Sequence, residues 1–371
     1  MRLNILCCTA VVALLAGCSS ASVLPTETAE PSPTTIPATA TPAPTATETG
    51  PWPLFPVFSQ EPVVPHGPQG RWDGRFMDPG AVVVAGGKFH MFHNGFPSWP
   101  AEVGVIHSVS DDGLHWQRVQ EDWVFNQEGV EYAGLTLLAA SALVEDDGTW
   151  VLYFYTWDSR STNASAKIGR ATAPGPDGPW QADPAPALQP GPEGAWDDNA
   201  VISPSVVKTD DGYRMYYVGS RNSPRSKQIG LATSADGISW VKVDDPSTED
   251  PLFAESDPVL VPVEQSGQFD SRFMAHVNVV YADEGWLMEY RGDAGINDRL
   301  GLARSEDGIH WQRYPQNPVF GPDAFTGGNA IWFSELVHQG DRYFLYVELG
   351  KGSTTEVYAA THNGRLFEDG P

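Results

Sequence analysis

Cysteine is scarce in this sequence, and its positions restrict the chemistry of the protein. The chain of 371 residues has three cysteines, Cys7, Cys8 and Cys18, all within the first eighteen positions. We expect the first two to be removed with a leader peptide and the third to become the first residue of the mature chain. The rest of the chain then has no disulfide, no thiol nucleophile and no thiolate metal site.

Basic residues are also few relative to acidic ones. The sequence has 22 Lys and Arg residues against 47 Asp and Glu residues, a formal net charge of −25. A face that binds nucleic acid or anionic lipid needs a cluster of positive charge, so we expect no nucleic-acid partner. Solubility outside a cell explains most of the acidic excess.

After the leader, the chain has no long apolar run. Arg2 is followed by the apolar segment from Ile5 to Ala16 and then by Leu15-Ala16-Gly17-Cys18. This segment is shorter than the ~20 apolar residues that cross a bilayer. The pattern is typical of a bacterial lipoprotein signal, so we predict that residues 1–18 are the signal and that Cys18 carries the lipid. Membrane contact would then occur only through this anchor, at the cell surface.

Large apolar side chains are almost absent from residues 19–51, which consist mainly of Thr, Pro, Ala, Ser and Glu. Such a segment cannot bury enough surface to offset the entropy lost on ordering, so we predict a disordered tether. The folded domain is predicted to cover residues 52–371, and we expect it to be a monomer.

Helical periodicity is nearly absent from the folded part, and a seven-residue motif recurs instead. Ser-x-Asp-Gly-x-x-Trp occurs at 110–116, 234–240 and 305–311, each time after a short alternating run. Asp-Gly at the turn and Trp in the next strand predict a β-hairpin in each copy. A degenerate fourth copy spans 168–183.

A second type of hairpin lies upstream of each of these motifs, and a fifth copy follows at 335–350. Together they predict an all-β, five-bladed β-propeller of four-stranded antiparallel blades. We expect 54–58 or 365–369 to supply the outer strand of the last blade. Trp116, Trp240 and Trp311 should pack between blades as buried residues. The aspartates of the three motifs should be scaffold: Asp112, Asp236 and Asp307.

Polar residues are predicted at the axis, where the inner strands converge. Gly-x-[Trp/Phe]-Asp precedes three inner strands and points to this end of the propeller as the functional one. Aligning the inner hairpins on their turns places Asp78, Ser203 and His276 at one level, with Ser205, Asn278 and Glu335 one step inward. Blade 2 has only Ala140 and Ala142 there. The cluster predicts a pocket, or else a channel filled with water or a cation.

The loops at the same end carry flat and polar side chains that suit a carbohydrate. Trp99 and Trp157 offer faces for sugar rings, and Arg, Asn and Asp offer partners for hydroxyl groups. We predict no required cofactor and no protein metal site, while an axial Ca²⁺ is left open. The predicted substrate-binding residues are Arg75, Arg272, Ser203, Ser205, Asn278, Trp99 and Trp157.

The stretch "RFMDPGAVVVAGGKFHMFHNG" (75–95) resembles the first blade of glycoside hydrolase families 43 and 32. The resemblance in blade pattern covers about residues 60–371. It implies that Asp78 is a catalytic carboxylate, the general base in a family-43 enzyme. The same families carry an Asp in the second blade and a Glu in the third, whereas this chain has Ala139-Ala140-Ser141 and Ser203-Pro204-Ser205. Glu335 and His276 are then the candidates for the general acid.

The leading hypothesis is a surface-tethered glycoside hydrolase that cleaves an oligo- or polysaccharide with inversion. One alternative is a glycan-binding lipoprotein without activity, because the second- and third-blade carboxylates are missing. Another is a glycoside phosphorylase, for which Arg75 and Arg272 would be the start of a phosphate site. A six-bladed sialidase does not fit five blades and the lack of a clear arginine triad.

Overall fold

The computed structural model describes residues 51–157, 165–295 and 298–367, and these residues form strands and connecting turns. The strands are grouped into five antiparallel sheets. The described residues include two single-turn 3₁₀ helices, Pro251–Phe253 and Pro322–Ala324. Among the described residues, no helix is long and apolar enough to cross a membrane. The predicted signal, Cys18 and residues 19–50 of the predicted tether lie outside the described residues.

The predicted five-bladed propeller is confirmed, and the blades follow one another along the chain. Blade 1 contains β1 (Phe76–Ala85), β2 (Lys88–Phe96), β3 (Gly104–Ser110) and β4 (Gln117–Arg118). Blade 2 contains β5 (Thr136–Val144), β6 (Trp150–Trp157), β7 (Ile168–Ala173) and β8 (Gln181–Ala182). Blade 3 contains β9 (Ala200–Thr209), β10 (Gly212–Asn222), β11 (Arg225–Ser234) and β12 (Val241–Lys242), with β13 (Pro258–Leu260) also on β11. Blade 4 contains β14 (Phe273–Ala282), β15 (Gly285–Asp293), β16 (Arg299–Ser305) and β17 (Gln312–Arg313). Blade 5 contains β18 (Ala330–Gln339), β19 (Arg342–Lys351) and β20 (Thr354–Asn363).

The N-terminal segment of the domain supplies the missing outer strand of blade 5. Val57 and Val64 form antiparallel bridges to Ala360 and Val357 on β20. The backbone amide of Phe58 also donates to Ala359, at 2.9 Å. Of the two predicted closing segments, 54–58 is therefore the one that pairs with this blade. The ring is closed by pairing the beginning of the domain with its end.

The repeated heptapeptide forms the outer hairpin of its blade, as predicted. In the copy at 305–311, the Ser305 hydroxyl accepts the amide of Gly308, and Asp307 accepts the amides of Ile309 and His310. The Trp311 ring lies 5.6 Å from the ring of Tyr216 in the preceding blade. Trp116 and Trp240 make equivalent contacts with Tyr346 and Tyr153. These tryptophans are half-buried and not buried as predicted, because the outer strands lie at the outer edge of the propeller.

The aspartates of the repeated Gly-x-[Trp/Phe]-Asp motif form ion pairs within the scaffold. Asp73, Asp197 and Asp270 are buried, and each pairs with a basic residue of the short outer strand of its own blade. The partners are Arg118 at 2.6 Å, Lys242 at 2.5 Å and Arg313 at 2.9 Å. Each pair fastens the start of the inner strand to the outer strand.

Candidate active site at the propeller axis

Every inner strand has a register irregularity near its first residues. In blade 1 it falls between Asp78 and Ala81, and in blade 4 between Met274 and His276. Gly80 has φ of 56°, and Ser203 in blade 3 has φ of 53°, which is unusual for a residue with a side chain. A bulge adds a residue to one strand and redirects nearby side chains. This geometry turns the side chains at this end of the inner strands toward the axis.

Asp78 is held at the axis by one of its two carboxylate oxygens. Its Oδ1 accepts from the amide of Gly80 at 2.8 Å and from Nδ2 of Asn94 at 2.7 Å. Its Oδ2 is buried and has no hydrogen-bond partner. Burial raises the pKa of Asp78 to about 7, although the bonds from Asn94 and Gly80 act in the opposite direction. The free oxygen can therefore accept a proton or a hydrogen bond from a ligand.

Glu348 on β19 is the second buried carboxylate at this level. Burial raises its pKa well above the usual range, and the nearby charge of Asp78 raises it further. A hydrogen bond links Glu348 to Thr355, whose hydroxyl oxygen also accepts from the amide of Met77 at 3.1 Å. Thr355 thus joins Glu348 to the residue before Asp78. Oε2 of Glu348 is buried without a partner.

Glu289 and Arg291 on β15 complete the group from blade 4. Oε2 of Glu289 accepts from the Ser334 hydroxyl at 2.9 Å, whereas Oε1 is buried without a partner. Burial raises the pKa of Glu289 to about 8. Arg291 donates to the carbonyl of Ile331 at 3.1 Å, and its Nε has no partner. We call Asp78, Glu289, Arg291 and Glu348 the axial cluster.

Tyr155 of blade 2 lies beside the axial cluster. Its ring is buried, and the charges of Asp78, Glu348 and Arg291 all act on its pKa, which burial raises well above the usual range. A buried phenol with a raised pKa is neutral near pH 7 and can donate a hydrogen bond. Blade 2 therefore supplies a phenol to this site from its second strand, β6.

His276, a predicted general acid, lies near the cluster with both ring nitrogens occupied. Nδ1 is 2.5 Å from the Ser203 hydroxyl, and Nε2 is 2.6 Å from the carbonyl of Ser334. A carbonyl only accepts, so Nε2 carries the hydrogen and the Ser203 hydroxyl donates to Nδ1. Burial lowers the pKa of His276 to about 3. His276 is therefore a neutral imidazole whose hydrogen bonds link blades 3, 4 and 5. The geometry favours this structural role over that of a proton donor.

Ser205, Asn278 and Glu335, predicted to lie one step inward, are buried and engaged with neighbouring blades. Their side-chain oxygens accept the backbone amides of Val279, Leu336 and Val82 at 2.8, 3.2 and 3.3 Å. Each accepted amide belongs to the inner strand of the next blade. We call these three residues, with Ser141 and Asn94 in the same role, the inter-blade ring.

Hydrogen bonds within the inter-blade ring occupy the side chains of Asn278 and Glu335. Asn278 also donates to Oε2 of Glu335 at 2.7 Å, so both oxygens of Glu335 are occupied. The raised pKa of Glu335 comes from burial and from the charge of Glu289. The geometry favours a structural role for Ser205, Asn278 and Glu335 over contact with substrate.

The predicted aromatic residues Trp99 and Trp157 are in contact with each other between blades 1 and 2. Trp99 is 41% exposed, and its ring contacts those of Phe96 and Trp157 at 5.6 and 4.9 Å. Trp332, 49% exposed, stands next to Arg291, whose guanidinium lies 5.6 Å from its ring. Part of the predicted loop after Trp157 lies outside the described residues. Flat exposed rings of this kind suit the apolar faces of sugars.

Arg75 and Arg272, the other predicted substrate-binding residues, occupy matching positions in blades 1 and 4. Each guanidinium lies 4.8 Å from the ring of the phenylalanine that follows it in the chain. Arg75 also donates to the carbonyl of Ser353 at 2.9 Å. In the shared Arg-Phe-Met motif, Asp78 of blade 1 corresponds to Ala275 of blade 4, one residue before the His276 that the alignment on the turns placed at this level. Both arginines are exposed.

The sequence pattern did not identify Glu289, Arg291 and Glu348 as site residues. The available signal was one or two charged residues inside an otherwise apolar second strand, as in "LYVEL" and "LMEYR". Among the described residues, no three His, Cys, Asp or Glu side chains form a group that could hold a metal ion.

The propeller fold agrees with the comparison to known families. Residues 72–286 match the model of the glycosyl hydrolases family 32 N-terminal domain, more than half of the chain. The chain belongs to this family, and its domain is a glycoside hydrolase domain. No curated protein matches the chain.

Solved structures of similar fold are glycoside hydrolases or candidates for that activity. A candidate glycosidase from Bacteroides thetaiotaomicron VPI-5482 has 18% identity and a TM-score of 0.64, over 83% of this chain and 96% of its own. A protein of the glycoside hydrolase family 130 of mannoside phosphorylases, described with hydrolases that target β-1,2 mannosidic linkages in Candida mannan, has 17% identity and a TM-score of 0.64, over 83% and 93%. A thermostable family-43 glycoside hydrolase has 15% identity and a TM-score of 0.58, over 82% and 94%. At these identities the likeness shows the fold.

Proposed function

We propose that this protein is a bacterial cell-surface glycoside hydrolase that cleaves an oligo- or polysaccharide with inversion. Asp78 is the general base, and Glu348 replaces Glu335 and His276 as the general acid. One observation carries the proposal: Asp78 and Glu348 each leave a buried carboxylate oxygen without a partner, and their charges interact. Buried acceptors that the protein does not satisfy are expected where a ligand binds.

The different surroundings of the two carboxyl groups assign their roles. Glu348 keeps its proton near pH 7, because burial and the charge of Asp78 both raise its pKa. Asp78, with a pKa of about 7, is ionised in a large fraction of molecules at that pH. A pair of carboxyl groups, one protonated and one ionised, is what acid–base hydrolysis of a glycoside needs.

The chemical step then follows directly. Glu348 protonates the glycosidic oxygen while its bond to the anomeric carbon breaks. Asp78 takes a proton from a water molecule whose oxygen bonds to the same carbon from the opposite side. Inversion requires about 6.5–9.5 Å between the two carboxyl groups, to leave room for this water. Glu289 and Arg291 would hold sugar hydroxyls, because each has a free buried polar atom.

The test compares Asp78→Asn, Glu348→Gln and the parent on a panel of plant and microbial glycans. Both variants should lose at least 10²-fold in rate and still bind the glycan, because each loses a group that transfers a proton. Proton NMR of the first product should show the inverted anomer. Asp112→Asn is the matched control, since Asp112 lies in an outer hairpin and should leave the rate unchanged. Full activity in Asp78→Asn would remove Asp78 from the mechanism.

A glycan-binding protein without activity is the second candidate function. The absence of carboxyl groups from Ala139-Ala140-Ser141 and Ser203-Pro204-Ser205 favours it. A parent protein that binds a glycan of the panel but releases no reducing ends would support this candidate over the hydrolase.

A further inference from the structure

A group of basic residues lies at the rim between blades 3 and 4, beside the axial cluster. Arg225 and Lys227 stand two residues apart at the start of β11, so their side chains are on the same face of the strand. Arg272 precedes β14, and the guanidiniums of Arg225 and Arg272 lie 5.0 and 4.8 Å from the same ring, that of Phe273. Arg291 connects this group with the axial carboxylates. We call these four residues the basic rim.

The carboxylates near the basic rim balance only part of its charge. Asp298 pairs with Arg291 at 3.2 Å, and Asp293 accepts the amide of Gly295 at 2.5 Å. Among the described residues, Arg225, Lys227 and Arg272 form no ion pair or side-chain hydrogen bond. Within the described part of the chain, the four positive charges of the basic rim therefore face two negative ones, Asp293 and Asp298, in a protein whose net charge is −25.

The pKa of Lys227 reflects both its burial and the positive charges around it. Burial lowers its pKa to about 8, and the charges of Arg291 and Arg225 lower it further against the opposing charges of Asp293 and Asp298. An anion bound at the rim would favour the charged form of Lys227 and occupy donors that have no hydrogen-bond partner among the described residues. Such a site is the usual partner of carboxylate, sulfate and phosphate groups.

We propose that the basic rim binds an anionic substituent of the substrate, so that the glycan cleaved is an acidic one. This inference rests on the proposed function, because it assigns the substrate class of the same site. Arg291 reaches both groups: its charge acts on the axial carboxylates, and on Lys227 at the rim. A sugar with its glycosidic bond at Asp78 and Glu348 would thus present a neighbouring carboxylate or sulfate ester to the rim.

Anion binding can be measured without any turnover. Sodium D-glucuronate, sulfate and inorganic phosphate are titrated into the full-length protein, against sodium chloride at equal ionic strength, and thermal unfolding and calorimetry are recorded. The parent should be stabilised by at least one of these anions beyond the chloride control. Lys227→Gln and Arg272→Gln should each weaken that binding roughly tenfold, as expected for a lost charge-assisted bond. Lys88→Gln removes the same charge from the exposed first residue of β2 in blade 1 and should have no effect.

If none of the three anions stabilises the parent more than chloride does, or if both rim variants bind as tightly as the parent, the proposal is wrong. A glycan panel then distinguishes the sources of the anion. Acidic oligosaccharides should bind, and the same oligosaccharides with their carboxyl groups reduced to alcohols should bind roughly tenfold more weakly or worse. Cleavage of a neutral glycan that depends on inorganic phosphate and yields a sugar 1-phosphate would instead assign the rim to free phosphate and overturn the acidic-substrate proposal.

The two proposals fail in different ways. Asp78→Asn should bind acidic glycans normally and not cleave them, since Asp78 is not part of the rim. A parent that binds acidic glycans through the rim but never cleaves them refutes the hydrolase and leaves the anion site standing. A parent that cleaves neutral glycans with no contribution from Lys227 or Arg272 refutes the anion site and leaves the hydrolase standing.

Discussion

The hydroxyl of Tyr216 in blade 3 donates a 2.8 Å hydrogen bond to the carbonyl of Gly308 in blade 4. Tyr153 bonds in the same way to Gly237, and Tyr346 to Gly113. In each case the glycine belongs to the Asp-Gly turn of the repeated heptapeptide. The repeat thus presents one carbonyl and one tryptophan ring to a tyrosine of the blade before it.

Removing this contact should destabilise the fold by an amount that depends on what is lost. Tyr216→Phe leaves a buried carbonyl without its donor and should cost about 1–2 kcal/mol. Trp311→Ala should cost roughly 2–4 kcal/mol, somewhat less than a fully buried tryptophan, because the ring is half-buried. Urea unfolding measures both values. The control is Tyr281→Phe, since Tyr281 is 64% exposed; an equal loss there would mean that the blade contact is not the cause.

Enzyme activity should depend on pH through Asp78. A general base must be ionised, and the pKa of Asp78 is about 7. We expect kcat/KM on a cleaved glycan to fall about tenfold per pH unit below 7, and to fall again at high pH as Glu348 loses its proton. A profile that stays flat from pH 5 to pH 7 contradicts Asp78 as the base.

Glu289→Gln should change how stability depends on pH. The folded-state pKa of Glu289, about 8, is raised above that of the unfolded chain. Its neutral form therefore contributes stability at low pH, and this contribution is lost as the pH rises toward 8. The variant has no carboxylate to bury, so its stability relative to that of the parent should increase by an amount on the order of 3 kcal/mol between pH 5 and pH 8. Thermal unfolding at a series of pH values gives this change for both proteins. An equal dependence of stability on pH in the variant and the parent would contradict the raised pKa of Glu289.

Glu335→Gln and Glu348→Gln should separate scaffold from chemistry. Glu335 accepts from Val82 and Asn278, so its amide variant should lose about 1–2 kcal/mol of stability while keeping most of its activity per folded molecule. Glu348→Gln should retain stability and lose activity. Measuring kcat together with urea unfolding for both variants gives the result. The reverse outcome would return Glu335 to the role of general acid.

Cys18→Ser tests the predicted anchor. Without the thiol no lipid can be attached, so the variant should appear in the soluble fraction after a carbonate wash, whereas the parent stays with membranes. A variant that remains with membranes after the wash rules out the lipoprotein prediction.

The sequence predicted the fold well because each blade repeats a local signal. An Asp-Gly turn between alternating runs defines a hairpin within about fifteen residues, and five such units leave few architectures. The exposure of Trp116, Trp240 and Trp311 was harder to predict, since a tryptophan can pack between blades and still face solvent on one edge.

The candidate site was predicted less completely, for a physical reason. Glu335 and Glu348 both lie in apolar strands near the axis, and the residues around them in the chain are of the same apolar character. Glu335 meets a backbone amide of blade 1, which lies more than 250 positions away in the chain. Whether an axial carboxylate serves a neighbouring blade or remains free for a ligand depends on such distant contacts.

The pairing of Val57 and Val64 with β20 also constrains the order in which this protein can fold. Blades 1 to 4 can form their hairpins as soon as each segment is available, whereas the last blade needs partners from opposite ends of the domain. Joining segments about 300 residues apart has an entropic cost that grows with the intervening chain, and it is least when the blades between them are already compact. We therefore expect closure of the ring to be the late step in folding, and a chain shortened before Val357 to be left with an open, association-prone edge.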